Sequence, residues 1–162
     1  MAQGILRDLG PCQVIFDSTS LGETFGNVVF RYTSDSRPIH EDSKGTTQVD
    51  EVFVGAACEV EVPMTRTSLA QLASIIPGAS VVGTVMGVDS PVGTAMYESA
   101  AALVLKPLVG GVASAQTSWL TIPKAYPKID LEITYNNENQ RVYKAIFIGF
   151  ADSVGLIWKV GE

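Results

Sequence analysis

A chain of 162 residues, 46% hydrophobic and only 17% charged, is long enough for one domain with a real core and too apolar to be disordered. Its net charge of −6 argues against a protein that grips nucleic acid through a general basic surface, because such affinity depends on Lys and Arg contacts to phosphate. With so few charges and a positive mean hydropathy, part of the surface is expected to be buried against further copies of the chain.

Residues 1–10 read as an N-terminal arm; they lack an apolar stretch followed by a cleavage site and do not read as a secretion signal. Residues 12–17 alternate as a strand, with Cys12, Val14 and Phe16 on one face. Residues 27–33 alternate again, Val28, Phe30 and Tyr32 opposing Asn27, Val29 and Arg31. A long polar loop is expected at about 35–48, carrying Asp35, Arg37, His40, Glu41, Asp42 and Lys44. The strand at 49–62 follows; its strict alternation from Ala57 turns Cys58, Val60 and Val62 inward and Glu59 and Glu61 outward.

One short helix is predicted over 65–76, with Leu69, Leu72, Ala73 and Ile76 on one stripe. Thr65, Thr67 or Ser68 would cap it, and Pro77-Gly78 would stop it. It is expected to cover an open end of a sandwich. The Gly-, Ala-, Ser- and Val-rich stretch 79–116 carries loop signals at 89–94 and 108–111 and one strand at 100–106. Its most apolar part is broken by Gly, Asp, Glu, Lys and Pro, so it does not supply the ~20 apolar residues of a membrane-spanning helix. Residues 118–122 are a further strand. Residues 128–135 set Ile129, Leu131, Ile133 and Tyr135 against Asp130, Glu132 and Thr134. The polar cluster 136–139 turns that strand into a hairpin with 141–150, and 154–160 contains a last short strand. No internal repeat and no domain boundary is visible, so the chain reads as one mainly β, antiparallel sandwich or partial barrel with one flanking helix.

Signals for chemistry are sparse. The single histidine, His40, stands in the polar loop and reads as solvated; a general base would need an orienting carboxylate and a nucleophile. No nucleophile-elbow, phosphate-loop or His-x-Glu pattern occurs, and Asp42-Ser-Lys-Gly-Thr departs from a calcium loop at its later ligand positions. No catalytic residue, cofactor or metal is therefore expected. The pairs Glu59/Glu61 and Asp130/Glu132 fit a solvated sheet face, or else line a common water-filled surface. Cys12 and Cys58, 46 positions apart, form no zinc or redox motif. Buried free thiols are the first reading, a disulfide within or between subunits the alternative. Trp119 and Trp158 read as packing residues.

The order of these elements resembles the major tail tube protein family of tailed bacteriophages, whose relatives include the tubes of contractile injection machines and type VI secretion. The resemblance is carried by the strand at 27–33, the charged loop, the run Val49-Asp50 with Gly55, the strand Cys58-Glu-Val-Glu-Val62, the helix with Leu69-Ala-Gln-Leu72, and the final hairpin ending at Phe150-Ala-Asp152. It covers most of the chain and is weakest at 79–116. It implies a virion protein, made in the host cytoplasm, that assembles into six-membered rings whose inner sheets join as a β-barrel. The rings stack into a tube around a tape measure protein, and DNA later passes through without specific binding. Sheath, tail terminator and baseplate proteins are further implied partners. On that reading Glu59, Glu61, Asp130 and Glu132 face an acidic lumen, which offers phosphate no cations. The charged loop, with Asp35, Arg37, His40, Glu41, Asp42 and Lys44, makes the ring-to-ring contacts. The alternatives are another virion component, such as a head–tail adaptor or decoration protein, and a soluble ligand-binding β-barrel.

Overall fold

Period-two alternation translates into a strongly curled antiparallel sheet in the computed structural model, which describes residues 11–65, 67–89, 92–129, 138 and 141–161. The strands are β1 (Cys12–Phe16), β2 (Thr19–Ser20), β3 (Glu23–Thr24), β4 (Val29–His40), β5 (Gln48–Thr65), β6 (Ala79–Val82), β7 (Val85–Val88), β8 (Ala101–Val109), β9 (Val112–Ala113), β10 (Leu120–Ile129), β11 (Tyr143–Phe150) and β12 (Lys159–Val160). Ten of them form one sheet in the order β2-β1-β8-β10-β11-β5-β3, with β4 also on β5, β9 on β8 and β12 on β10; β6 and β7 form a separate ribbon. The sheet does not close into a barrel, but it curls far enough to enclose its own core. Phe16 of β1 and Phe147 of β11 stack with ring centroids 5.1 Å apart, although β8 and β10 lie between their strands.

The inner face is the one the alternation predicts. Val14, Phe16, Cys58, Val60, Val62, Leu103, Ile122, Ala145 and Phe147 are all buried in one cluster. Each large aliphatic or aromatic side chain so placed contributes about 1.5–3 kcal/mol. Cys58 fits because its neighbour across the ladder is Gly149: a Cβ there would overlap the Cys58 sulfur and stand 3.1 Å from Ile122 Cγ2. Both cysteines are free thiols; Cys58 is buried and Cys12 half-buried.

The helix α1 (Leu69–Ile75) is shorter than the predicted 65–76. Ser68 ends the extended chain by a capping box: its hydroxyl accepts from the Gln71 backbone N–H, and the Gln71 side chain accepts from the Ser68 N–H. Gln71 Nε2 also donates to the Ser20 carbonyl at 2.9 Å, tying the helix to β2. Leu72 and Ile75 reach the core and Leu69 does not, so the buried stripe is rotated from the expected one. From the other end, Ile157 and Trp158 pack onto the core, with Trp158 edge-on to Phe30 and Tyr32 at 5.3 and 5.5 Å.

Three expectations about elements change. The charged loop is not 35–48: β4 continues through His40 and pairs with β5 back to Gln48, leaving 41–47 as the connection. The polar sequence hid this strand because it has no buried face to impose alternation. The strand expected at 118–122 and the first residues of the one expected at 128–135 lie in a single strand, β10, which runs through Pro123 and Pro127 with an irregular register between Ile122 and Ala125. The stretch 79–116 holds a ribbon, β6–β7, that its Gly and Val content concealed. The hairpin of β10 with β11 is present from Lys124↔Phe150 to Ile129↔Ala145. Its continuation through Asp130 and Glu132, like the arm at 1–10, lies outside the described residues.

Candidate assembly interface

β5 has two partners only over part of its length. Its inner half, Cys58 to Met64, pairs with β11 on one side, and β4 on the other reaches Glu61. Beyond Cys58 β11 has no further partner for it, so residues 48–57 pair with β4 alone. The result is a two-stranded arm projecting roughly 30 Å from the sheet at ~3.3 Å per residue. Its backbone is continuous but its side chains are largely bare: every residue of β4 from Thr33 onward is exposed, as is each of Asp50 to Val54 on β5. Register shifts at Asp35/Ser36 and Ile39/His40 mark bulges, which add twist and blunt an open edge.

The arm is amphipathic on no single face. Arg37 pairs with Val52 and Ser36 with Phe53, so Val52 and Phe53 point to opposite sides. Phe53 is 61% exposed, Val54 52% and Val52 48%. An isolated two-stranded ribbon is marginal in water, and one with apolar side chains bare on both faces calls for a partner. At the tip Asp42–Lys44 form a 3-10 turn closed by Gly45 at φ 63, a conformation that suits glycine. Glu41 lies 4.0 Å from Lys44, and Ser36 donates to Glu51.

Of the proposed stacking residues, Asp35, Arg37 and His40 therefore stand on the strand of the arm, and Glu41, Asp42 and Lys44 at its tip; all six are exposed. His40 is opposite Gln48 at the end of the ladder. What sequence reasoning missed is the apolar part of this surface, Val52, Phe53 and Val54, which stood only as part of the strand expected at 49–62.

Glu59 and Glu61 do face outward, as predicted, but they do not make that face acidic. Arg31 Nη1 reaches Glu59 at 3.3 Å and Glu61 at 3.6 Å, and Lys144 Nζ reaches Glu61 at 2.8 Å. The Lys144 hydrogen bond, with the charges of Lys144 and Arg31, holds the Glu61 carboxyl below its ordinary value against a smaller effect of burial. Here β4 and β11 bring cations from two separate stretches of chain beside the carboxylates of β5. Asp130 and Glu132 lie outside the described residues. Burial raises the pKa of both cysteine thiols, which keeps them protonated and poor nucleophiles.

Two open grooves, of about 720 and 640 Å³, meet at Pro11, Cys12 and Thr24 near the β8–β9 turn. Among the described residues no group of three or more His, Cys, Asp or Glu is placed to hold a metal ion, and no helix is long and apolar enough to cross a membrane. No protein-family model matches the chain, and no curated protein matches its sequence.

Proposed function

We propose that the protein is a structural subunit that assembles with copies of itself, and that the assembly is a tube of stacked six-membered rings of the bacteriophage tail kind. The observation that carries self-assembly is the β4–β5 arm, a long ribbon with no fully buried residue over 33–40 and 48–57 and with exposed apolar side chains on both faces. The ring number, the tube, the virion setting and the tape measure, sheath, terminator and baseplate partners come from the tail tube resemblance of the sequence. Physical reasoning fits it: an open sheet with unpaired edges gains by joining its neighbours, and a cyclic ring needs two different patches per subunit, which matches apolar exposure in several places.

The arm is the contact between successive rings in this reading. Electron microscopy and sedimentation of the concentrated protein test it, with rings or tubes of uniform width as the expected result. Deleting residues 41–45 leaves Thr46-Thr47 to join His40 to Gln48; the variant should fold and fail to form tubes. A wild-type protein that stays monomeric at every concentration refutes the proposal. A ligand-binding barrel has less to support it, because the interior of the sheet is filled by Val14, Phe16, Val60, Leu103, Ile122 and Phe147, each at most 3% exposed.

A further inference from the structure

Among the described residues, the outer face of the sheet body carries a surplus of charge of the opposite sign to the molecule. Side chains at alternate positions to the buried ones place Lys106, Lys124, Lys128, Lys144, Lys159 and Arg31 on this face, six of the eleven Lys and Arg of a chain with net charge −6. Among the described residues, the carboxylates at outward positions of the sheet body are Glu59, Glu61 and, on β3 at the edge of the sheet, Glu23. Glu59 and Glu61 are taken up by Arg31 and Lys144. Four lysines follow β10 and its neighbours. Lys106 lies over the Trp119 ring at 3.7 Å, Lys159 stands opposite Thr121, and Lys124 and Lys128 sit on β10 itself. From Trp119 to Lys128 this strip is roughly 30 Å long at ~3.3 Å per residue. Aromatic rings accompany it: Tyr97 and Tyr126 each pack against Phe150, and Lys124 lies over the Tyr97 ring.

The arm has the complementary make-up. Residues 35–51 hold Asp35, Glu41, Asp42, Asp50 and Glu51 against Arg37 and Lys44, a net charge of −3. It is also roughly 30 Å long and offers Val52 and Phe53 between its charges. Charge sign, length and the mixture of apolar and charged groups agree between the two surfaces. The arm projects from its own sheet, so the fit is between different copies.

We infer that the lysine strip along β10 is the docking site for the acidic β4–β5 arm of a neighbouring copy. This rests on the self-assembly reading and names its contact. The outer face then becomes an interface between subunits and not a bare acidic wall. Electrostatic complementarity of this kind sets register and partner choice, and it weakens with salt.

A charge swap tests the contact. K128E alters an exposed lysine of the strip, and D42K an exposed acid of the arm tip. Each variant alone should raise the protein concentration needed for assembly by about tenfold, one lost charge pair of ordinary strength. Mixing the two should restore assembly, because the unaltered arm tip of K128E meets the unaltered strip of D42K, and the altered arm tip of D42K meets the altered strip position of K128E with charges again opposite in sign. Near-ultraviolet circular dichroism confirms that both variants fold, and wild-type assembly should weaken between about 0.05 and 0.5 M salt. If the wild type assembles but K128E assembles equally well, or if the mixture does not recover, the docking site is wrong while the self-assembly reading stands. If the wild type forms no assembly, both fall. A wild type that binds a single-stranded oligonucleotide through Lys128, with assembly unaffected by K128E, would assign the strip to nucleic acid and overturn the inference.

Discussion

Gly149→Ala should be among the most damaging single-methyl additions to this fold, and Cys58 should be the reason. Gly149 pairs with Cys58 across β5–β11 and with Ala125 across β10–β11, so its backbone is held on both sides. An added Cβ overlaps Cys58 Sγ, stands 3.1 Å from Ile122 Cγ2 and 3.7 Å from Ile157 Cγ2. Overpacking of a tight core costs about 1–3 kcal/mol, and a strand pinned between two ladders places this site at the upper end, about 3 kcal/mol. For a domain of this size that lowers Tm by about 6–12 °C. Cys58→Ala alone removes one buried sulfur and leaves a small void, a loss of about 1 kcal/mol. If the two effects were independent, the double variant would lose about 4 kcal/mol. The geometry says otherwise: in Cys58→Ala the overlapping atom is gone, the methyl added by Gly149→Ala takes its space, and only the 3.1 Å contact remains tight. The double variant should lose about 1–2 kcal/mol and be more stable than Gly149→Ala alone. Urea and thermal unfolding of the four proteins complete the cycle. A double variant as unstable as the sum of the singles would refute the packing argument.

Other expectations follow from local structure. Ser68→Ala removes the cap of α1 and should cost about 1 kcal/mol in urea unfolding; no change would mean that the Gln71 contact to Ser20 alone anchors the helix. Asp17 and Ser18 form a two-residue hairpin turn with φ of 46° and 64°, so Ser18→Gly should raise stability by up to about 1 kcal/mol, read as a higher Tm. Glu61 has a lowered pKa in the fold, so its contribution is present above the ordinary value of 4.5 and is lost as pH falls through the lower folded value. The Tm difference between wild type and Glu61→Gln should therefore close below that pH, and a constant difference would deny the Lys144 and Arg31 contacts any role. Phe53→Ser, at an exposed position of the arm, should leave stability within the ~0.5 kcal/mol of a surface change yet abolish assembly; tubes of normal length would remove Phe53 from the interface.

The inner face of the sheet was legible in the sequence wherever a strand is buried on one side only. Cys58, Val60 and Val62 against Glu59 and Glu61 specify a register, because a slip of one residue would put carboxylates into the core. The helix was legible from its stripe and stop signal, but its start and rotation were not, since Thr65, Thr67 and Ser68 are all competent caps and only the Gln71 contacts select Ser68. The arm was hidden for the opposite reason to the core. Residues 35–40 bury no face, so no alternation marks them, and backbone pairing with 48–55 makes them a strand. The sign of the outer face was beyond any reading of single segments. Glu59 and Glu61 look like half of an acidic wall when β5 is read alone. Arg31, Lys144, Lys124 and Lys128 come from three other strands, and only the order of strands in the sheet decides which charges become neighbours. Local patterns specify which way a side chain points; long-range pairing specifies what it meets, and charge acts through what it meets.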